Sequence, residues 1–173
     1  HIVHFSGHGN IDDEIILESG EGELAFPNGT KSSGRDMQRL EPVHLASGVC
    51  APKPLGKSAL VDVLKACNEG NIRVVVLNAC HTRPHAEALS EIIDCTISMN
   101  RAISDVGAIK FAASFYGALA FGRSVKKAFD QGLARLNAEG VSETGIPELV
   151  VRAGVNASTL VLVGPPGNRA EVN

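Results

Sequence analysis

The chain has 173 residues, a formal charge of −3, six histidines, four cysteines and no tryptophan. That length suits one domain able to bury roughly 70% of its unfolded surface. The weak net charge leaves no basic footprint for nucleic acid, and no apolar run nears the ~20 residues that span a bilayer. No signal peptide is recognisable, so no membrane partner is expected. Cys50, Cys67, Cys80 and Cys95 are irregularly spaced, without a C-x-x-C pair. Such spacing argues against a zinc site or a disulfide framework and fits the reduced thiols of a cytoplasmic protein.

Ile2 to Phe5 is a short run of mostly β-branched and aromatic residues, read as a buried strand, and it ends at Ser6-Gly7-His8-Gly9. His1 lies inside this pattern without a cap or polar leader, which predicts a piece of a longer protein. Glu14 to Glu18 reads as a strand and Glu23 to Phe26 as a weaker one. From Pro27 to Gly56 the composition turns to Gly, Pro, Ser and scattered Lys/Arg, which predicts a flexible insertion or loop over 27–56. Leu60, Val61, Val63, Leu64 and Cys67 recur at helical spacing, placing Cys67 on an inner stripe, and Asn68 to Asn71 closes that helix.

Ile72 to Ala79 is the central strand, running into Asn78-Ala79-Cys80-His81. Pro84 starts a helix through about Ile92, and Asp94 to Met99 reads as another strand. Ser104 is placed to cap a helix with an apolar stripe of Val106, Ile109, Ala112, Phe115, Tyr116 and Leu119, ended by Gly122. Ser124 is placed to cap a second helix, with Val125, Ala128, Phe129, Leu133 and Leu136 inward before Gly140. Glu148 to Ala153 fits helix or strand equally. Thr159 to Val163 predicts a last strand, stopped by Gly164-Pro165-Pro166-Gly167. Strands alternating with helices imply an α/β fold, its mostly parallel sheet covered on both faces.

Two strand ends carry the chemistry. In open α/β sheets, functional side chains gather where loops leave the carboxyl ends of strands. If the two strands are neighbours, His8 and Cys80 emerge on one edge as base and nucleophile. A thiolate is the reactive form of cysteine, and an adjacent imidazole can take its proton. The glycines flanking His8 let backbone approach a bound peptide, and the N–H groups of Gly9 and Cys80 are candidates to hold an oxyanion. Cys50, Cys67 and Cys95 are read as packing residues. A metal cluster built from His1, His4, His8, His81, His85 and Cys80 is disfavoured, because His4 to His8 spans a strand and a turn instead of one helical face. His4 is read as a strand side chain bonding a neighbour. Gly7-His8-Gly9 lacks the third glycine of a dinucleotide loop, and no P-loop is present.

The stretches HIVHFSGHGN, RVVVLNACHT, AISDVGAIKFAASFYGALAFGRSVKKAF and LVLVGPPG resemble the CHAT family, a branch of the caspase-like cysteine peptidases related to separase and metacaspases. The resemblance runs from His1 to Gly164. It implies a three-layer caspase-like fold over residues 1–173, lacking a strand and a helix that normally precede the histidine strand. It further implies a dyad: His8 as catalytic histidine and Cys80 as the nucleophile that forms a thioester, with Asp12 and Asp13 unassigned. Asn78 stands where basic-specific relatives carry an acidic pocket residue. Asp105 is a candidate to supply a carboxylate there, or to stabilise the helix it starts. Met99 is a candidate apolar wall, with core packing as the rival role. By the resemblance the substrate is a protein or peptide, no metal or organic cofactor is needed, and a sensor module or partner protein regulates the domain. A CHAT-like binding or scaffold module is the main alternative, and acyl transfer on a non-peptide substrate is a third reading.

Overall fold

The computed structural model describes residues 1–10, 14–17 and 53–164. Its main sheet has the order β1-β5-β6-β7. β1 (Ile2–Ser6), β5 (Val74–Asn78) and β6 (Cys95–Met99) run parallel, and β7 (Pro147–Val151) closes the row antiparallel to β6. A second sheet joins β2 (His8–Gly9), β3 (Ile15–Leu17) and β4 (Lys53–Leu55) in antiparallel order; β3 lies within the strand expected over Glu14 to Glu18, and the other two were not expected. Its last strand falls inside the expected 27–56 loop, so residues 53–55 correct that reading. Pro27 to Pro52 and Glu23 to Phe26 lie outside the described residues.

β5 explains the layering. Val74 to Leu77 is buried on both faces, as a continuous β-branched run in a covered parallel strand should be. Val74 and Val76, with Cys95 and Ile97 of β6, pack on Phe111, Phe115, Ala128 and Leu136. These belong to α3 (Asp105–Ala120) and α4 (Val125–Ala138). Val75 and Leu77 point the other way, to Leu60 and Leu64 of α1 (Lys57–Cys67) and Leu89 of α2 (Arg83–Leu89). The chain is therefore α/β, with helices on both faces of a mostly parallel sheet.

Several sequence expectations are corrected. On α1 only Leu60 and Leu64 are buried, and Cys67, on the same stripe but at the last residue of the helix, is exposed instead of packed. On α3 the buried face is Gly107, Ala108, Phe111, Phe115, Ala118 and Leu119, while Val106 and Ile109 are 56% and 68% exposed. The helix is apolar nearly all round, so periodicity alone could not choose the face. Close packing on α4 does: a β-carbon at Gly132 would sit 2.6 Å from the Phe111 ring, so the ring fits only against glycine. α2 ends at Leu89, short of Ile92. The ambiguous 148–153 stretch is a strand, β7, with Pro147 at its first position where a missing ladder donor is tolerated.

Thr159 to Val163 is not a strand; only Val161 forms a bridge, to Ser124. The segment instead serves the start of α4, with Val125 N–H donating to Leu160 O at 2.9 Å and Lys126 N–H to Ala157 O at 3.0 Å. Orphan donors of a helix start need such partners, and this demand outweighs strand propensity. Gly122 and Gly140, at φ 73° and 67°, follow α3 and α4 in the left-handed conformation that ends helices. No described helix is long and apolar enough to cross a membrane.

Candidate functional site

Ladder register brings the two motifs together. β1 and β5 pair in parallel with Ser6 opposite Asn78, and Gly7 N–H extends the ladder to Asn78 O at 3.3 Å. Two residues further along each strand stand His8 and Cys80. His8 then leaves the main sheet and pairs with Ile16 in the small one, while Gly9 pairs with Ile15. Gly9 lies directly against the cysteine backbone: a β-carbon there would overlap Cys80 O and sit 2.9 Å and 3.2 Å from Cys80 C and N. No other residue type fits that approach.

A cavity of about 170 Å³ opens at this edge, lined by Ser6, Gly7, His8, Asn78, Ala79, Cys80, Ile103, Asp105 and Ala108. Of the residues singled out in the sequence, His8, Cys80, Asn78 and Asp105 share this wall. Gly9 sits behind Cys80. Met99 does not reach the cavity: it is 1% exposed within the core, so the apolar-wall role gives way to packing. Cys80 is a half-buried free thiol and His8 is exposed. The Asn78 Oδ1 atom is buried and has no partner among the described residues.

Asp105 opens α3 beside the cavity, where a carboxylate also favours the positive helix end. Ser104 fixes that helix end. Its Oγ accepts Gly107 N–H at 3.1 Å and donates to Glu143 Oε2 at 2.8 Å, while its own N–H donates to Glu143 Oε1 at 3.0 Å. Glu143 thus ties the loop before β7 to the cavity rim. We expect Glu143→Ala to lower stability by about 1 kcal/mol, the usual scale of a lost cap. Urea unfolding at neutral pH checks it, and an unchanged midpoint would mean Ser104 caps α3 unaided.

His4 and His85 are engaged elsewhere. His4 Nδ1 lies 2.6 Å from Tyr116 Oη, the strand-to-neighbour bond expected for it, and the two rings stack. Burial lowers the His4 pKa and pushes the Tyr116 hydroxyl up to about 12. His85 is buried on α2 with Nε2 3.3 Å from Leu55 O, joining the helix to β4. Among the described residues no three His, Cys, Asp or Glu side chains converge as a metal site requires. Burial first, and then Asp94, raise the Cys95 thiol to about 11, which keeps it protonated at neutral pH. It is the packing cysteine the sequence suggested.

Two residues beside Cys80 shape the turn: His81, which the sequence offers for the loop or the substrate rim, and Thr82, which it does not single out. His81 has φ 57°, left-handed without being glycine. Thr82 is 1% exposed, and its hydroxyl bonds back to the β5 end. No sequence signal marks Thr82, because its role depends on where β6 passes.

Compared with known proteins, the chain matches no family model and no curated protein.

Proposed function

We propose that this chain is a cysteine endopeptidase domain of the caspase-like CHAT class, working through a His8–Cys80 dyad. One observation carries the reading. Parallel register sets a histidine and a cysteine at equivalent carboxyl-end positions of adjacent strands, around one cavity. The helix-covered sheet and the order histidine strand, small antiparallel sheet, cysteine strand support it.

In this mechanism the Cys80 thiolate attacks the scissile carbonyl carbon, forming a tetrahedral adduct. The N–H groups of Cys80 and Gly9 face the resulting oxyanion, and such fixed donors usually supply the largest share of acyl-transfer catalysis. His8 gives its proton to the leaving amine, and a thioester remains on Cys80. His8 then takes a proton from the water that attacks the thioester; the C–S bond breaks, the new carboxyl product leaves, and Cys80 returns as a thiolate beside protonated His8. Side chains supply the proton transfers and the first nucleophile, and water is the second. Asn78 and Asp105 line the space for the residue that precedes the cut. A neutral amide at Asn78 replaces the charge of basic-specific relatives, leaving Asp105 as the carboxylate at this wall. The substrate is a protein or peptide, and an attached sensor or partner in the cytoplasm switches the domain on.

The test is cleavage of a randomised peptide library, with covalent labelling by peptidyl acyloxymethyl ketones. We expect Cys80→Ala to abolish both, and His8→Ala to slow cleavage by about 10²-fold or more. A folded protein, supplied with its partner, that neither cuts nor is labelled at Cys80 would leave the scaffold reading in its place.

A further inference from the structure

The turn that carries Cys80 is held by a side chain outside the dyad. We propose that Thr82 is a positioning residue: its hydroxyl fixes the left-handed His81 turn and so presents Cys80 to the cavity. The consequence for catalysis rests on the peptidase reading; the turn itself does not.

Thr82 occupies the N-cap position of α2, yet its side chain makes no cap bond. Threonine at that position ordinarily caps the helix with its hydroxyl. Here the hydroxyl points back to the sheet instead. Its proton is shared between Ala79 O at 3.0 Å and Leu77 O at 3.3 Å, and its oxygen accepts Met99 N–H at 3.1 Å. The Thr82 backbone closes the same junction, donating to Met99 O at 2.9 Å and accepting Ala86 N–H at 3.1 Å. One buried residue therefore ties together the β5 end, the β6 end and the first turn of α2.

Cys80 and His81 lie inside the loop that the Ala79–Thr82 bond closes. His81 at φ 57° holds a backbone conformation that residues with a β-carbon adopt rarely and keep only when surroundings impose it. The hydroxyl bonds are that imposition. Glycine at residue 81 would make the turn easy but slack; histidine with a stapled neighbour makes it strained and fixed. Fixed placement matters, since an error of about 1 Å in a reacting group can cost 10²-fold in rate.

The test uses Thr82→Val, which keeps the shape and removes the hydroxyl, and Thr82→Ser, which keeps the hydroxyl. Two readouts are taken. The first is the intraresidue amide-to-α-proton NOE of His81, strong only for a left-handed residue. The second is the rate at which iodoacetamide alkylates Cys80 at pH 7, resolved by peptide mass spectrometry from the exposed Cys67. We expect Thr82→Val to lose the strong NOE and slow Cys80 by about tenfold or more, with Thr82→Ser within about twofold of the parent and Cys67 unchanged. If the valine variant does not fold, Thr82→Ala removes the hydroxyl without crowding and gives the same readouts. A hydroxyl-free variant with either the parent NOE or the parent Cys80 rate overturns the proposal. His8→Ala is run beside them. If it leaves the Cys80 rate of the parent unchanged, the dyad reading falls, and the His81 NOE still decides the role of Thr82.

Discussion

Gly9→Ala is expected to abolish labelling of Cys80 by peptidyl probes while leaving the helical layers assembled. The added methyl would fall on the Cys80 carbonyl oxygen and only 3.2 Å from Cys80 N. What it meets is backbone, which cannot rotate away as a flexible side chain does. One of the two segments must move, and both are held: Gly9 by its pairing with Ile15, Cys80 by the Thr82 bonds. Forced overpacking of this kind costs about 1–3 kcal/mol. On the proposed peptidase mechanism the functional loss is larger, because the displaced groups are the proposed nucleophile and oxyanion donors; about 10²-fold or more is expected. Gly56→Ala is the matched control, since a β-carbon there meets nothing within 4 Å. Labelling rates and urea midpoints for the two variants decide the matter. A Gly9→Ala protein labelled as fast as Gly56→Ala would remove the close backbone approach from any account of the site.

His8 and Cys80 were legible as strand-end residues because each follows an apolar run, and glycines beside His8 signal backbone crowding. The run before Cys80 is buried over Val74 to Leu77, whereas β1 lies at the sheet edge with none of its residues buried, against the expectation. β5, β6 and α4 were legible for the same reason: one strong period, one face or two. α3 was misjudged because its apolar residues cover most of its circumference, so packing partners, not periodicity, set the buried face. Of the small sheet only β3 was legible, inside the strand expected over Glu14 to Glu18; β2 and β4, of two and three residues, carry no period, and β3 pairs with a segment beginning at Lys53. Thr159 to Val163 has strand composition but meets the open end of α4 first. Thr82 shows the general limit. Its importance arises from Met99, 17 residues away, and a one-dimensional pattern does not reveal which backbone passes beside a hydroxyl.

At the opposite end of the sheet, Asp94→Asn is expected to destabilise the protein at neutral pH and to become harmless in acid. Asp94 precedes β6 with its side chain 10% exposed, and its carboxylate accepts from Arg73 Nε at 2.8 Å and from Arg152 Nη2. Arg152 N–H also donates to Asp94 O at 3.0 Å, so one residue fastens the ends of β5, β6 and β7. Burial by itself would raise the carboxyl's pKa from 3.8; bonds and charge from the two guanidiniums outweigh it and hold the group lower. A carboxylate whose folded value is depressed contributes stability above its unfolded value and loses it as pH falls through the folded one. The Arg73 and Arg152 side chains are 44% and 42% exposed, so water screens them and the effect stays moderate. Asparagine keeps one acceptor but no charge, and the expected loss at pH 7 is about 2 kcal/mol, the scale of hydrogen bonds to charged groups. Urea unfolding of parent and variant from pH 7 down to pH 2 measures it. Their stability difference should hold until roughly pH 4–5 and shrink below that, as the parent's Asp94 takes up its proton. A difference that stays constant across the series would mean the carboxylate contributes through shape alone and that its charge holds nothing in place.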